Sequence, residues 1–131
     1  MQTPPREQMG SFISGTPMPT ADEKLWGMLA HVLMLAVIGP LLVYLTKAKE
    51  SSFVRAHAVE ALNFQITLVL FNIAVSVLSS VLGAMTAGLG FLLGCLSIPV
   101  GIAALVFLII AAMKANQGLL YSYPVNIRFI K

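Results

Sequence analysis

Charge is scarce in this sequence. Only 10% of the 131 residues are Asp, Glu, Lys or Arg, against about a quarter in soluble domains. Hydrophobic residues make up 58%. A chain of one domain's length cannot bury that much apolar surface in a core of its own, so the excess must face lipid. Cysteine is nearly absent as well. Cys95 stands alone in an apolar run, which excludes an internal disulfide and reads as a small packed side chain. With two histidines and five acidic residues, metal ligands are few. His57 and Glu60 form an H-x-x-E pair, which offers two ligands where a metal centre takes three or four, so no metal site is expected. P-loop and Rossmann turns are missing, and so is a nucleophile–base pair. Gly88-Leu89-Gly90 is too short and too apolar to cradle phosphate. No enzyme activity and no cofactor are expected. The net charge of +3 is small, and the basic residues sit at the ends of the apolar runs. That pattern suits an anionic membrane surface, and nucleic acid is not an expected partner.

What is present is a series of apolar runs. Residues 1–20 hold four prolines and two glycines among polar residues, a composition that predicts a disordered tail. They lack the basic-then-apolar order of a cleaved signal. Thr20 and Glu23 predict a capping box at the start of the first helix. The apolar run 25–46 follows, of spanning length, with Trp26 and Tyr44 as interfacial anchors and a kink or break at Gly39-Pro40, so that it reads as one span or, alternatively, as a re-entrant hairpin broken there. Two further spans are predicted at about 57–83 and 91–113, the latter kinked at Pro99 and closed by Lys114. Gly94, Ser97, Gly101 and Ala104 form a small-residue ridge on the third span. Residues 119–131 read as an interfacial or extended segment. The expectation is therefore an all-α integral membrane protein. A three-helix bundle over 21–131 would follow the 1–20 tail. Three spans set Arg6 and Lys24 against Lys47, Lys49, Arg55, Lys114, Arg128 and Lys131. The excess of positive charge then puts the N-terminus outside and the C-terminus in the cytoplasm of a bacterial plasma membrane.

The polar residues of the second span divide into two sets. At 100° per residue, Gln65, Asn72, Ser76 and Ser79 fall in one stripe. Small and hydrogen-bonding residues on one face predict helix packing. His57, Glu60, Asn63 and Thr67 lie on another face, near the helix start and spaced as neighbours. With Lys114 and Arg128 from nearby segments, they form a candidate interaction cluster. His31 is a lone intramembrane histidine. With the first two spans antiparallel it should lie level with Ser79 and Ser80, bonded to a serine and far from His57.

Three blocks carry a resemblance: "EKLWGMLAH", "FVRAHAVEALNFQIT" and "AAMKANQGLLYSYPVNIRFIK". Together they cover about residues 22–131. They resemble a widespread family of small bacterial membrane proteins of unassigned function, itself distantly similar to the Tic-twenty proteins of the chloroplast inner-envelope import machinery. The resemblance implies a helical membrane domain with a place in a translocation or other membrane complex, and it assigns no catalytic residue. The function expected is that of a non-catalytic small subunit or assembly factor. Its partners would be the lipid bilayer and other membrane proteins or further copies of itself. The alternative is an oligomeric transporter or channel for a small solute or ion, lined by the Gln65–Ser79 stripe.

Overall fold

A computed structural model describes residues 18–33 and 37–131. The tail expected to be disordered lies outside them, apart from residues 18–20. Among the described residues five helical segments follow one another: α1 (Ala21–Val32), α2 (Ile38–Lys47), α3 (Ser52–Met85), α4 (Gly90–Gly94) and α5 (Ser97–Asn116). An extended tail runs from residue 119 to the end, and no strand occurs among the described residues. Among the described residues two stretches are long and apolar enough to cross a membrane, Ser52–Met85 and Gly90–Asn116.

The capping box forms as the sequence predicts. Thr20 N–H donates to Glu23 Oε2 at 2.7 Å, and Glu23 N–H donates to Thr20 Oγ1 at 3.2 Å. Such a cap is worth about 1 kcal/mol and fixes where α1 begins.

The first apolar run is not one span. It forms two short helices, 12 and 10 residues long, which rise about 18 and 15 Å at about 1.5 Å per residue. Each reaches about half of the ~30 Å hydrocarbon layer. They pack against each other as a hairpin. Trp26 and Tyr44 both pack on the cluster of Ala30, Val43, Val54, Ala58 and Ala61, and Lys47 Nζ lies 5.4 Å from the Trp26 ring centre. The break expected at Gly39-Pro40 comes earlier, because those two residues belong to the first turn of α2. An amide there has no intrahelical acceptor, so proline costs nothing. Gly39 is needed for space, since a Cβ would run into the Leu33 carbonyl and Cβ. The outer face of α2 carries Ile38, Leu41, Leu42 and Leu45, all exposed. Their i, i+3, i+4, i+7 spacing is that of one apolar face with no partner among the described residues.

Small residues let α1 lie between α3 and α5, which touch each other little. A Cβ on Gly27 would sit 3.1 Å from Phe53 Cε1, 3.2 Å from His57 Cδ2 and 3.5 Å from Ala115 Cβ. On α5 the packed ridge is Ala104, Leu108, Ala111, Ala112 and Ala115. It continues the predicted ridge only at Ala104, because Gly94 and Gly101 face open space. α3 is buried through its first half, Val54 to Gln65, while most of its second half is exposed.

These contacts fix which ends lie together. Lys24, in the first turn of α1, lies beside Gly118, just past α5. Lys47 lies over Trp26, and Phe53 of α3 meets Gly27. The start of α1, the 48–51 turn and the end of α5 therefore share one end of the molecule. This corrects the three-span arrangement, which put the start of the first helix across the membrane from that turn. A hairpin leaves and returns on one side, which a single span cannot do.

Candidate functional site: the clasp between helix α3 and the tail

Glu60, Asn63 and Thr67 lie along one face of α3, three and four residues apart, and all three engage the C-terminal tail. Glu60 Oε1 accepts from Tyr123 N–H at 2.8 Å and from Ser122 Oγ at 3.1 Å. Asn63 Oδ1 accepts from Phe129 N–H at 2.9 Å and Ile130 N–H at 2.8 Å, and Asn63 Nδ2 donates to the Ile130 carbonyl at 2.8 Å. Thr67 Oγ1 accepts from Ile127 N–H at 3.0 Å and donates to the Asn63 carbonyl at 2.8 Å. The tail thus runs from Glu60 to Thr67 and turns back to Asn63. An extended segment without a sheet needs acceptors for its amides, and here side chains of α3 supply them.

Beneath the tail runs a buried chain of polar groups. Tyr123 Oη lies 2.9 Å from His31 Nδ1, His31 Nε2 lies 2.8 Å from His57 Nδ1, and His57 Nε2 lies 3.1 Å from the Leu119 carbonyl. Both histidines are almost fully enclosed. The carbonyl can only accept, so with both rings neutral every bond has one direction. The Tyr123 hydroxyl donates to His31, His31 Nε2–H donates to His57, and His57 Nε2–H donates to Leu119. Burial, with Tyr121 and Glu60 close by, pushes the Tyr123 phenol above its ordinary range, so it keeps the proton that this chain requires. The Tyr123 ring stacks on Phe64, 3.8 Å between centres and 4° between planes. Buried polar groups are tolerable because each is bonded. The chain ends on a backbone carbonyl, which cannot pass a proton onward, so its chemistry is that of a clasp holding α1, α3 and the tail.

The candidate cluster is thereby divided. His57, Glu60 and Asn63 are buried and bonded within the chain. Arg128 Nη2 donates to Ser122 Oγ at 3.1 Å, which extends the Glu60 network to the surface. Lys114 makes no side-chain hydrogen bond or ion pair with the cluster among the described residues; the ion pair there is Lys47–Glu50, at 2.9 Å. His31 is bonded to Tyr123 and His57, not to Ser79 or Ser80. The depth expected for it assumed a full first span, and in a half-depth hairpin residue 31 lies near residue 57. No group of three or more His, Cys, Asp or Glu is placed to hold a metal ion among the described residues.

Among the described residues the packing stripe meets no second helix over its middle. Gln65 is buried, while Asn72 and Ser76 are exposed. Asn72 Nδ2 donates to the Leu68 carbonyl at 2.9 Å, and Ser80 Oγ donates to the Ser76 carbonyl at 2.8 Å. Gln65, Asn72 and Ser76 share an open, shallow face on the outside of α3 with Leu68, Val69, Ile73 and Val77. Ser79 Oγ is buried without a partner.

Spacing alone could not identify Tyr123, Leu119 or the tail amides as partners. The available signal was the alternation over 125–130, which marks an extended segment whose amides need acceptors.

Residues 22–130 match the MamF/MmsF family, described as the magnetosome magnetite crystal formation protein family. The assignment overturns the resemblance to the Tic-twenty proteins, since the same blocks that suggested it fall inside this match. No curated protein and no solved structure matches the chain. With 109 of 131 residues inside the match (22–130), the chain belongs to the magnetosome magnetite crystal formation protein family.

Proposed function

We propose that this chain is a non-catalytic multi-pass membrane protein that supports magnetite crystal formation as a small subunit, holding other membrane proteins in place through the outer face of α3. The observation that carries the reading is the family match over 22–130. Orientation follows from charge. Lys24, Lys47, Lys49, Arg55, Lys114, Arg128 and Lys131 gather at the hairpin end, while the turn 86–89 carries no charged residue. The positive-inside rule puts the hairpin end in the cytoplasm. The opposite face then offers a growing crystal no carboxylate among the described residues, which favours action through protein contacts over direct binding of mineral. The contact surface is not the His57–Glu60–Asn63 cluster, which serves the tail. It is the outer face of α3, where Asn72 and Ser76 stand exposed among apolar residues. Polar groups on such a face bond across helices in a membrane, at about 0.6 kcal/mol each on average.

The test is complementation in a magnetite-forming bacterium stripped of its own members of this family. The chain should restore crystal size, read by electron microscopy. The variant with Asn72→Leu and Ser76→Leu should still insert but lose its co-purifying membrane partners and fail to restore size. Failure of the unaltered chain to restore size would overturn the role in crystal formation. Full restoration by the double variant would overturn the subunit-contact reading.

A further inference from the structure

The network between the tail and α3 leaves a pocket of about 280 Å³ unfilled. Val59, Leu120 and Ile130 contribute apolar lining, Glu60 contributes a carboxylate, and Arg128 and Lys131 line it with exposed cations. Glu60 Oε1 is occupied by Ser122 and Tyr123, whereas Glu60 Oε2 makes no hydrogen bond among the described residues. Arg128 uses one donor on Ser122 Oγ, and a guanidinium has five. Neither Glu60 nor Arg128 forms an ion pair with the other. Ser122 stands between them and holds the two charges apart, each with bonding capacity left over. One pocket thus offers an acceptor for a cation and a separate donor set for an anion. It lies at the end of the molecule where the lysines and arginines collect, which is the level of the lipid headgroups.

We propose that this pocket binds the phosphoethanolamine headgroup of a membrane lipid, with the ammonium on Glu60 Oε2 and the phosphate on Arg128 and Lys131. The short linker of that headgroup matches two opposite charges separated by one bridging serine. The apolar lining takes the start of the lipid's glycerol and chains. A headgroup with phosphate but no ammonium, such as phosphatidylglycerol, would satisfy the cations and leave Glu60 facing a second negative charge. The carboxylate therefore selects against it. A choline headgroup carries the positive charge but no N–H to donate. The proposal does not depend on any role in crystal formation.

The test uses the full chain purified in detergent, with lipid binding read by native mass spectrometry and by thermal stabilisation. Phosphatidylethanolamine should bind about tenfold more tightly than phosphatidylglycerol, the size of one charge-assisted hydrogen bond. Glu60→Gln keeps the Oε1 acceptor for the tail and should abolish that preference. Should Glu60→Gln not fold, Arg128→Gln with Lys131→Gln alters exposed positions and should weaken both lipids about tenfold or more. Equal binding of the two lipids, a preference that survives Glu60→Gln, or indifference to the cation double variant would each overturn the proposal. Soluble phosphoethanolamine forms the second arm. Stabilisation by it equal to that by the lipid would make the ligand a free phosphoester and overturn the membrane assignment.

Discussion

Tyr123 closes the buried chain with one hydroxyl and closes the stack on Phe64 with its ring, so the two contributions can be separated. Tyr123→Phe keeps the ring and leaves His31 Nδ1 without its donor. An unpaired buried acceptor costs about 1–3 kcal/mol, and unfolding in detergent should show that loss. His31→Ala should cost more, because it unpairs Tyr123 and His57 together. The double variant should cost less than the sum of the two, since they share one bond. Strict additivity would mean that the Tyr123 hydroxyl and the His31 imidazole do not act on each other. Part of this was legible in sequence. Residues 57, 60, 63 and 67 share a helix face by spacing alone, and polar residues at a helix start signal a cluster. Their partners were not legible, because they are backbone groups of the tail 60 to 67 residues further on and, for His57, a histidine 26 residues earlier. No local pattern encodes which acceptor a distant amide will find.

The α1–α2 hairpin is the element where sequence and structure part. Gly39-Pro40 marks a disruption, and the disruption exists, yet it falls before those residues, which open the second helix. Hydropathy could not separate one span from two half-spans, because the linker is as apolar as the helices on either side. Helix lengths of 12 and 10 residues decide the matter, since neither can reach across about 30 Å of hydrocarbon. Cysteines placed singly at Met18, Lys49 and Lys131, with Cys95 changed to alanine, should all react with an impermeant thiol reagent from the same face of sealed membrane vesicles. A cysteine at Thr86 should react from the other face. Labelling of Met18→Cys and Lys49→Cys from opposite faces would restore the single span.

At the scale of the whole molecule, the described chain is unequal from end to end. Helices α1, α2, α3 and α5 share the charged end, whereas the far end holds only the second half of α3, α4 and the start of α5. With the charged end at one membrane face, as proposed above, the exposed apolar face of α2 would lie in lipid, and the hairpin would add cross-section to one leaflet and nothing to the other. Such a body is a wedge. It fits a flat bilayer poorly and fits best where the leaflet around its charged end is stretched, on the convex side of a curved membrane. Reconstituted at equal lipid, the chain should enrich in small vesicles over large ones with its charged end outward, and equal partitioning would argue against the wedge. A half-depth hairpin thus converts a break in one apolar run into a preference for membrane shape.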